Sequence, residues 1–155
     1  MPQYWLMKSE PDEVSIDDAL AAPGATVAWT GVRNYQARNF MRDGMKVGDK
    51  IFFYHSNTEV PGIVGIASVA SPAYPDESQF NAKSKYYDEK STREEPRWML
   101  VDVKFERKLS RTITLDELKK IDDLADMPLV RKGNRLSVMP VAKGDWDFIL
   151  TLENA

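Results

Sequence analysis

The chain has 155 residues, which is enough for one domain with its own hydrophobic core. It has no cysteine and one histidine, so a thiolate nucleophile and a Cys/His zinc site are excluded. The net charge of −3 excludes a global positive field for nonspecific nucleic-acid binding. The chain also starts without a basic leader, and no segment approaches the roughly 20 apolar residues of a membrane span. We therefore expect a soluble, cytoplasmic protein with no membrane contact.

The first third of the chain predicts two strands and two helices. Residues 3–7 and 26–29 have the composition of strands. Residues 15–22 predict a helix that Ser15 caps and Pro23-Gly24 ends, and residues 34–42 predict a helix that Asn34 caps and Gly44 ends. The second helix has an apolar stripe of Ala37, Phe40 and Met41. Its opposite face is polar and aromatic: Tyr35, Arg38, Asn39 and Arg42.

The middle of the chain predicts two apolar strands and one long loop. A turn at residues 47–49 leads into a strand over residues 50–56, and residues 62–71 form the next strand. Gly62 and Gly65 within it indicate a bulge or a close backbone approach. Residues 72–96 are polar and interrupted by prolines, which predicts a long ordered loop that can include a helical turn.

The last third predicts two strands and two helices. Residues 97–108 alternate as a long strand, and the capping box at residues 114–117 opens a helix to about Ile121. A short strand follows at residues 135–141. Residues 143–152 form the final helix, with Trp146, Ile149 and Leu150 facing inward.

These elements predict one α+β domain over residues 1–155. Five or six strands are interleaved with short helices and no repeating βαβ unit occurs. The pattern therefore favours a curved sheet or a small β-barrel with short helices around it.

The segment Trp29-Thr-Gly-Val-Arg-Asn-Tyr-Gln-Ala-Arg-Asn39 combines the parts of a pocket for a planar polar ligand. Trp29 and Tyr35 can stack on a flat ring, and Gly31 permits close backbone approach. Asn34 can cap the helix that follows. No side chain in this segment is an evident catalytic group. The segment therefore indicates recognition rather than chemistry.

Six motifs follow one another along the chain: Tyr4-Trp-Leu-Met-Lys-Ser-Glu-Pro11, residues 29–39, Phe53-Tyr-His-Ser56, Gly62-Ile-Val-Gly65, Tyr74-Pro-Asp76 and Arg135-Leu-Ser-Val-Met-Pro140. In this order they resemble the motifs of the EVE domain family. The resemblance implies a PUA-like barrel, related to the YTH readers of methylated adenine, that binds modified bases, best associated with cytosine derivatives in DNA. The final helix departs from the family pattern, since it starts with Ala142-Lys-Gly-Asp145 rather than a Ser or Thr cap.

A pocket for an unstacked base needs aromatic walls and fixed hydrogen-bonding groups. We expect Trp29 or Tyr35 to stack on the base, with Tyr54 as a further wall. Backbone at Gly31 and Val32 would approach the base closely. The side chains expected at the base edges are Ser9, Asn34, Asn39 and Ser56. The cations expected to contact phosphate are Lys8, Arg33, Arg38 and Arg42.

Structural roles compete with each of these assignments. Trp29 can equally pack in the core, and Ser9 and Asn34 can act only as caps. His55 lies in an apolar strand, where a hydrogen-bonded core histidine is the commoner role. The turn at residues 74–76 either lines the mouth of the pocket or is a plain turn. Two further sets have similar alternatives: Trp5, Trp98 and Trp146 are interpreted as core, and the basic cluster of Arg131, Lys132 and Arg135 as solvated surface or phosphate contacts.

The leading hypothesis is a non-catalytic reader of nucleic acid that accepts a methylated or hydroxymethylated cytosine, with no cofactor and no metal. DNA and RNA both remain open as the polymer, and protein partners would supply any effector output. The alternatives are a domain that binds a small molecule, a nucleoside or a peptide, and a magnesium-dependent nuclease. The carboxylates available to such a nuclease are Glu10, Asp12, Glu13, Asp17 and Asp18.

Overall fold

A six-stranded mixed sheet, curled into a half-barrel, organises the protein. The computed structural model describes residues 3–131 and 136–154. The strand order is β2-β7-β4-β3-β1-β8, in which only the β1–β3 pair is parallel, and β5 and β6 form a separate two-stranded ribbon. The strands are β1 (Tyr4–Ser9), β2 (Thr26–Ala28), β3 (Lys50–His55), β4 (Gly62–Val69), β5 (Tyr74–Pro75), β6 (Met99–Leu100), β7 (Asp102–Thr114) and β8 (Val138–Val141).

Short helices cover the sheet, and three of the four begin at a predicted cap. The side chains of Ser15, Asn34 and Thr114 each accept a hydrogen bond from a main-chain N–H of the first turn. The second helix continues as one π-helical turn, Phe40–Gly44. The helices are α1 (Ile16–Ala21), α2 (Tyr35–Asn39), α3 (Leu115–Lys119) and α4 (Lys143–Leu152). No helix in the described ranges is long and apolar enough to cross a bilayer.

The two faces of the sheet carry separate hydrophobic cores, because successive side chains of a strand point to opposite faces. On β3, Phe53 packs with Trp5, Trp29 and Phe105 in the first core. Its neighbours Phe52 and Tyr54 belong to the second core, around Trp146. This alternation decides which predicted aromatic residues can share a pocket.

The structure corrects three of the predicted boundaries. The strand expected over residues 97–108 is divided into β6 and β7, and β7 runs on to Thr114. The loop at residues 72–96, here called the polar loop, contains β5 and one 3₁₀ turn at Glu77–Phe80. The last strand begins at Val138, and Lys132 and Arg135 lie outside the described residues.

Helix α1 docks closely on the sheet at β3 and β4. A Cβ atom on Gly65 would lie 2.5 Å from Cδ1 of Ile16, so the predicted close approach at this glycine is confirmed. The imidazole Nε2 of His55 accepts a hydrogen bond from the main-chain N–H of Ile16 at 3.1 Å. Burial lowers the pKa of His55, and the nearby Lys108 adds to this effect while Asp17 opposes it. His55 is thus a hydrogen-bonded structural residue that keeps α1 in place.

Candidate functional site

A cavity of about 620 Å³ opens beside the carboxyl end of β1. One wall is the end of β2 and the segment that follows it, residues 29–33, here called the 29–33 loop. Lys85 and Tyr86 of the polar loop form the opposite wall, and residues 8–10 of β1 and the turn after it close one side. The remaining lining residues are Glu13, Val14, Val27, Ala28, Ser56, Leu136 and Ser137.

The 29–33 loop holds a backbone conformation that requires glycine. Gly31 has φ +86°, a region that residues with a Cβ atom rarely adopt. Its N–H donates a hydrogen bond of 2.8 Å to a carboxylate oxygen of Asp76. A Cβ atom here would lie 2.6 Å from Cζ of Tyr86 and 3.0 Å or less from both Cε atoms. The Tyr86 ring therefore rests on the bare backbone of Gly31.

Arg33 fastens the 29–33 loop to the polar loop. Its Nε and Nη2 donate to the main-chain oxygen of Tyr86, at 3.1 and 2.8 Å. The remaining donors go to the oxygen of Val32, the Asp76 carboxylate and the Ser78 hydroxyl. All five N–H donors of a guanidinium are then engaged. Arg33 lines the cavity and its donors position Tyr86, while its contact with phosphate stays a prediction.

Asp76 is the fully buried anchor beneath both loops. Burial alone would raise the pKa of this carboxyl group. Hydrogen bonds from Ser78 and Gly31, together with the charge of Arg33, outweigh burial and lower the pKa. The turn at residues 74–76 thus supports the 29–33 loop from behind and does not line the cavity.

Trp29 borders the cavity although only 7% of its surface is exposed. Phe53 meets its ring edge-on at 5.7 Å between centroids, and Phe105 stacks on it at 6.5 Å. Its main-chain N–H donates to the oxygen of Val101. Core residues therefore hold the indole firmly, and part of its aromatic face is already occupied by Phe105.

The charges around the cavity are mostly paired. Lys85 forms an ion pair with Glu13 that links the polar loop to the turn after β1. The Glu10 carboxylate accepts a hydrogen bond from Asn57. Lys8 has no carboxylate partner in the described part of the chain, and its ammonium lies 5.6 Å from the ring centroid of Tyr54. Burial lowers the pKa of Lys8. Lys8 thus lines the cavity without an ion pair in the described residues, but its ammonium lies beside Tyr54, on the face of the sheet opposite Trp29.

The prediction that Trp29, Tyr35 and Tyr54 wall one cavity is wrong. Tyr54 is 2% exposed and packs in the second core, on the other face of the sheet. Its burial, with Asp116 nearby, raises the pKa of its hydroxyl to about 12. Tyr35 is 50% exposed and stacks on Trp98 at 4.7 Å, outside the cavity lining. Strand alternation and the direction of α2 separate the three rings.

The polar face of α2 also lies away from the cavity lining. The Asn34 side chain accepts from the N–H of Ala37 as a helix cap. The Asn39 carbonyl accepts two hydrogen bonds from Arg38, whose guanidinium lies 4.8 Å from the Tyr35 ring. Arg42 forms a bidentate pair with its neighbour Asp43. These side chains form a surface beside the site, and their contact with a ligand stays a prediction.

The structure brings seven of the predicted site residues to the cavity: Lys8, Ser9, Trp29, Gly31, Val32, Arg33 and Ser56. The Ser9 hydroxyl donates to the oxygen of Val14 at 2.8 Å and remains able to accept. The opposite wall, Lys85 and Tyr86, was not among the predicted site residues. The available signal was the run Lys85-Tyr86-Tyr87, two aromatic residues inside an otherwise polar loop. Across residues 3–131 and 136–154, no group of three or more His, Asp or Glu side chains is placed to hold a metal ion.

Comparison with known proteins places this architecture in a family. The EVE domain family model matches residues 3–152. Thymocyte nuclear protein 1 of Mus musculus is 45% identical over 99% of this chain and 74% of its own length. A crystal structure of a protein from Pseudomonas syringae is 48% identical, with a TM-score of 0.92 over 97% of this chain and 99% of that one.

A second solved structure was determined with a ligand. The crystal structure of human THYN1 protein in complex with 5-methylcytosine containing DNA is 42% identical. Its TM-score is 0.91 over 99% of this chain and 98% of that chain. These neighbours also confirm the expected PUA-like curved sheet. The chain therefore belongs to the EVE domain family.

Proposed function

We propose that this protein binds a nucleic-acid strand and receives one modified base, a methylated or hydroxymethylated cytosine, in the cavity between the 29–33 loop and Tyr86. The observation that carries the proposal is the cavity itself. Its volume of about 620 Å³ falls in the usual range of ligand sites, and two aromatic side chains and several polar groups line it. The DNA-bound structure of the human relative, of nearly identical fold, supports the same class of ligand.

Tyr86 is the side chain best suited to stack on the base. It is half-buried, its ring is seated on Gly31, and Arg33 holds its main-chain oxygen through two hydrogen bonds. A ring fixed in this way loses little side-chain entropy when a ligand stacks on it. A base removed from its stack regains on the order of 1–3 kcal/mol from such contact.

The phosphates of the bound nucleic acid would contact the cations at the cavity rim. Lys8 would break no ion pair of the described residues, but its ammonium would have to turn from Tyr54 toward the cavity, whereas Lys85 would exchange Glu13 for phosphate. The Glu13–Lys85 pair is largely solvated, so this exchange costs little. Arg38 and Arg42 lie farther out, where they would meet nucleotides that flank the bound base.

The proposed reader is non-catalytic. The two carboxylates at the cavity, Glu10 and Glu13, are engaged with Asn57 and Lys85. Neither lies in an apolar environment of the kind that prepares a carboxyl group for proton transfer. Any effector output would then come from protein partners.

The test is a titration with oligonucleotides that differ only at one cytosine: unmodified, 5-methylated or 5-hydroxymethylated, in DNA and in RNA. We expect tighter binding of a modified strand, with an affinity that falls as salt rises because phosphate contacts release counterions. Equal affinity for modified and unmodified strands would refute the reader. Binding of a free modified nucleoside with no salt dependence would instead favour a small-molecule domain, and strand cleavage in the presence of magnesium would favour a nuclease.

A further inference from the structure

The indole N–H of Trp29 has no hydrogen-bond partner among residues 3–131 and 136–154, although more than nine-tenths of this residue is buried. Two of the other tryptophans satisfy this group internally: Trp5 donates to Asp49 at 2.9 Å and Trp98 donates to Asp88 at 2.8 Å. Trp29 makes no such bond within the described residues. Because buried side-chain donors in folded proteins are usually paired, an N–H without a protein partner is expected to reach solvent.

The free N–H of Trp29 reaches open space rather than the packed core. Within the described ranges, no side-chain nitrogen or oxygen that is sealed from solvent lacks a hydrogen-bond partner. The unpartnered nitrogen of Trp29 is therefore accessible, and the opening that this residue borders is the cavity. Phe53 and Phe105 fix the ring, so the N–H has a fixed direction.

We infer that Trp29 donates a hydrogen bond from Nε1 to an acceptor on the bound base, either a ring nitrogen or a carbonyl oxygen. This inference rests on the proposed function and changes the part expected of Trp29 from stacking wall to specificity-determining donor. An indole N–H can only donate, so it favours a base edge that presents an acceptor there. Cytosine offers two such atoms, N3 and O2. Trp29 would thus read the base itself, while other lining groups read its modification.

Nuclear magnetic resonance of the native, ¹⁵N-labelled protein tests the inference directly, because each of the four tryptophans gives a separate indole N–H signal. The probe is the 5-methylcytosine oligonucleotide. We expect the Trp29 indole proton to move downfield on binding as it gains an acceptor, while those of Trp5 and Trp98 stay in place. Trp29→Phe and Trp146→Phe assign the two signals that lack an internal partner.

Affinity supplies a second readout with a matched control. Trp29→Phe keeps a ring but removes the donor, and we expect binding of the same oligonucleotide to weaken about tenfold. Trp146 also has no indole partner in the described residues, but it lies in the second core, stacked on Phe52. Trp146→Phe should therefore leave the affinity unchanged.

The outcomes separate the inference from the proposed function. If the native protein binds the oligonucleotide and the Trp29 indole signal stays in place, the donor role is refuted while the reader stands. If Trp29→Phe fails to fold, the shift in the native protein decides alone. If the native protein binds no strand, both proposals fail together.

Discussion

Replacing Gly31 by alanine tests whether Tyr86 is held on the 29–33 loop as the structure shows. Two penalties combine at this position. A residue with a Cβ atom at positive φ costs about 1–2 kcal/mol. The new Cβ would also lie 2.6 Å from Cζ of Tyr86, well inside contact distance, so the ring must move. Such overpacking costs a further 1–3 kcal/mol or so.

Gly48 provides a matched control for the cost of a Cβ atom at positive φ. Its φ is +96°, close to that of Gly31, but nothing lies within 4 Å of a Cβ atom built there. Gly48→Ala should thus reduce the free energy of unfolding by about 1–2 kcal/mol, and Gly31→Ala by about 2–5 kcal/mol. Urea denaturation of both variants measures the difference.

A double-mutant cycle isolates the ring contact. In a Tyr86→Ala background the steric overlap is absent, so the effect of Gly31→Ala should fall to that of Gly48→Ala. If Gly31→Ala and Gly48→Ala destabilise the native background equally, Tyr86 does not rest on Gly31. Tyr86 would then not form the second wall of the cavity.

Three further predictions concern binding and pH. Tyr86→Ala should weaken binding of a 5-methylcytosine oligonucleotide by about 1–3 kcal/mol. Tyr87 is an exposed neighbour outside the cavity lining, so Tyr87→Ala should leave the affinity unchanged. Equal losses of affinity in the two variants would contradict stacking by Tyr86. Lys8→Ala should reduce the slope of log affinity against log salt by about one, and Lys120→Ala, an exposed lysine after α3, should leave the slope unchanged. His55 has a lowered pKa in the folded protein, so its contribution to stability is complete above the unfolded pKa of about 6.5 and is lost as pH falls toward the folded value. The melting temperature of the native protein should therefore fall more steeply below pH 6.5 than that of His55→Gln, and parallel curves would contradict this linkage.

Local features of the chain predicted most of the elements. Ser15, Asn34 and Thr114 mark helix starts because a cap bonds to N–H groups only two or three residues away. The final helix occupies the predicted residues 143–152 for a similar reason, since its apolar spacing repeats over neighbouring turns. Interactions between residues a few positions apart can therefore be predicted from the sequence.

One wall of the candidate site could also be predicted, because its residues are contiguous in the sequence. The 29–33 loop follows a strand directly, so its aromatic residue, its glycine and its cation are near one another in any fold. The expectation about Tyr54 failed because the pleat of β3 puts it on the opposite face from Phe53. The expectation about Tyr35 failed because α2 directs it onto Trp98.

Tertiary structure alone brought the second wall into place. Tyr86 is 53 residues from Arg33, in a loop whose polar composition carries no periodic signal. Its position depends on a buried carboxylate, Asp76, which bonds to both Gly31 and Arg33. Such an arrangement exists only once distant segments have met. For that reason the sequence indicated a recognition protein and one side of its cavity, whereas the fold determined which second aromatic ring lines that cavity.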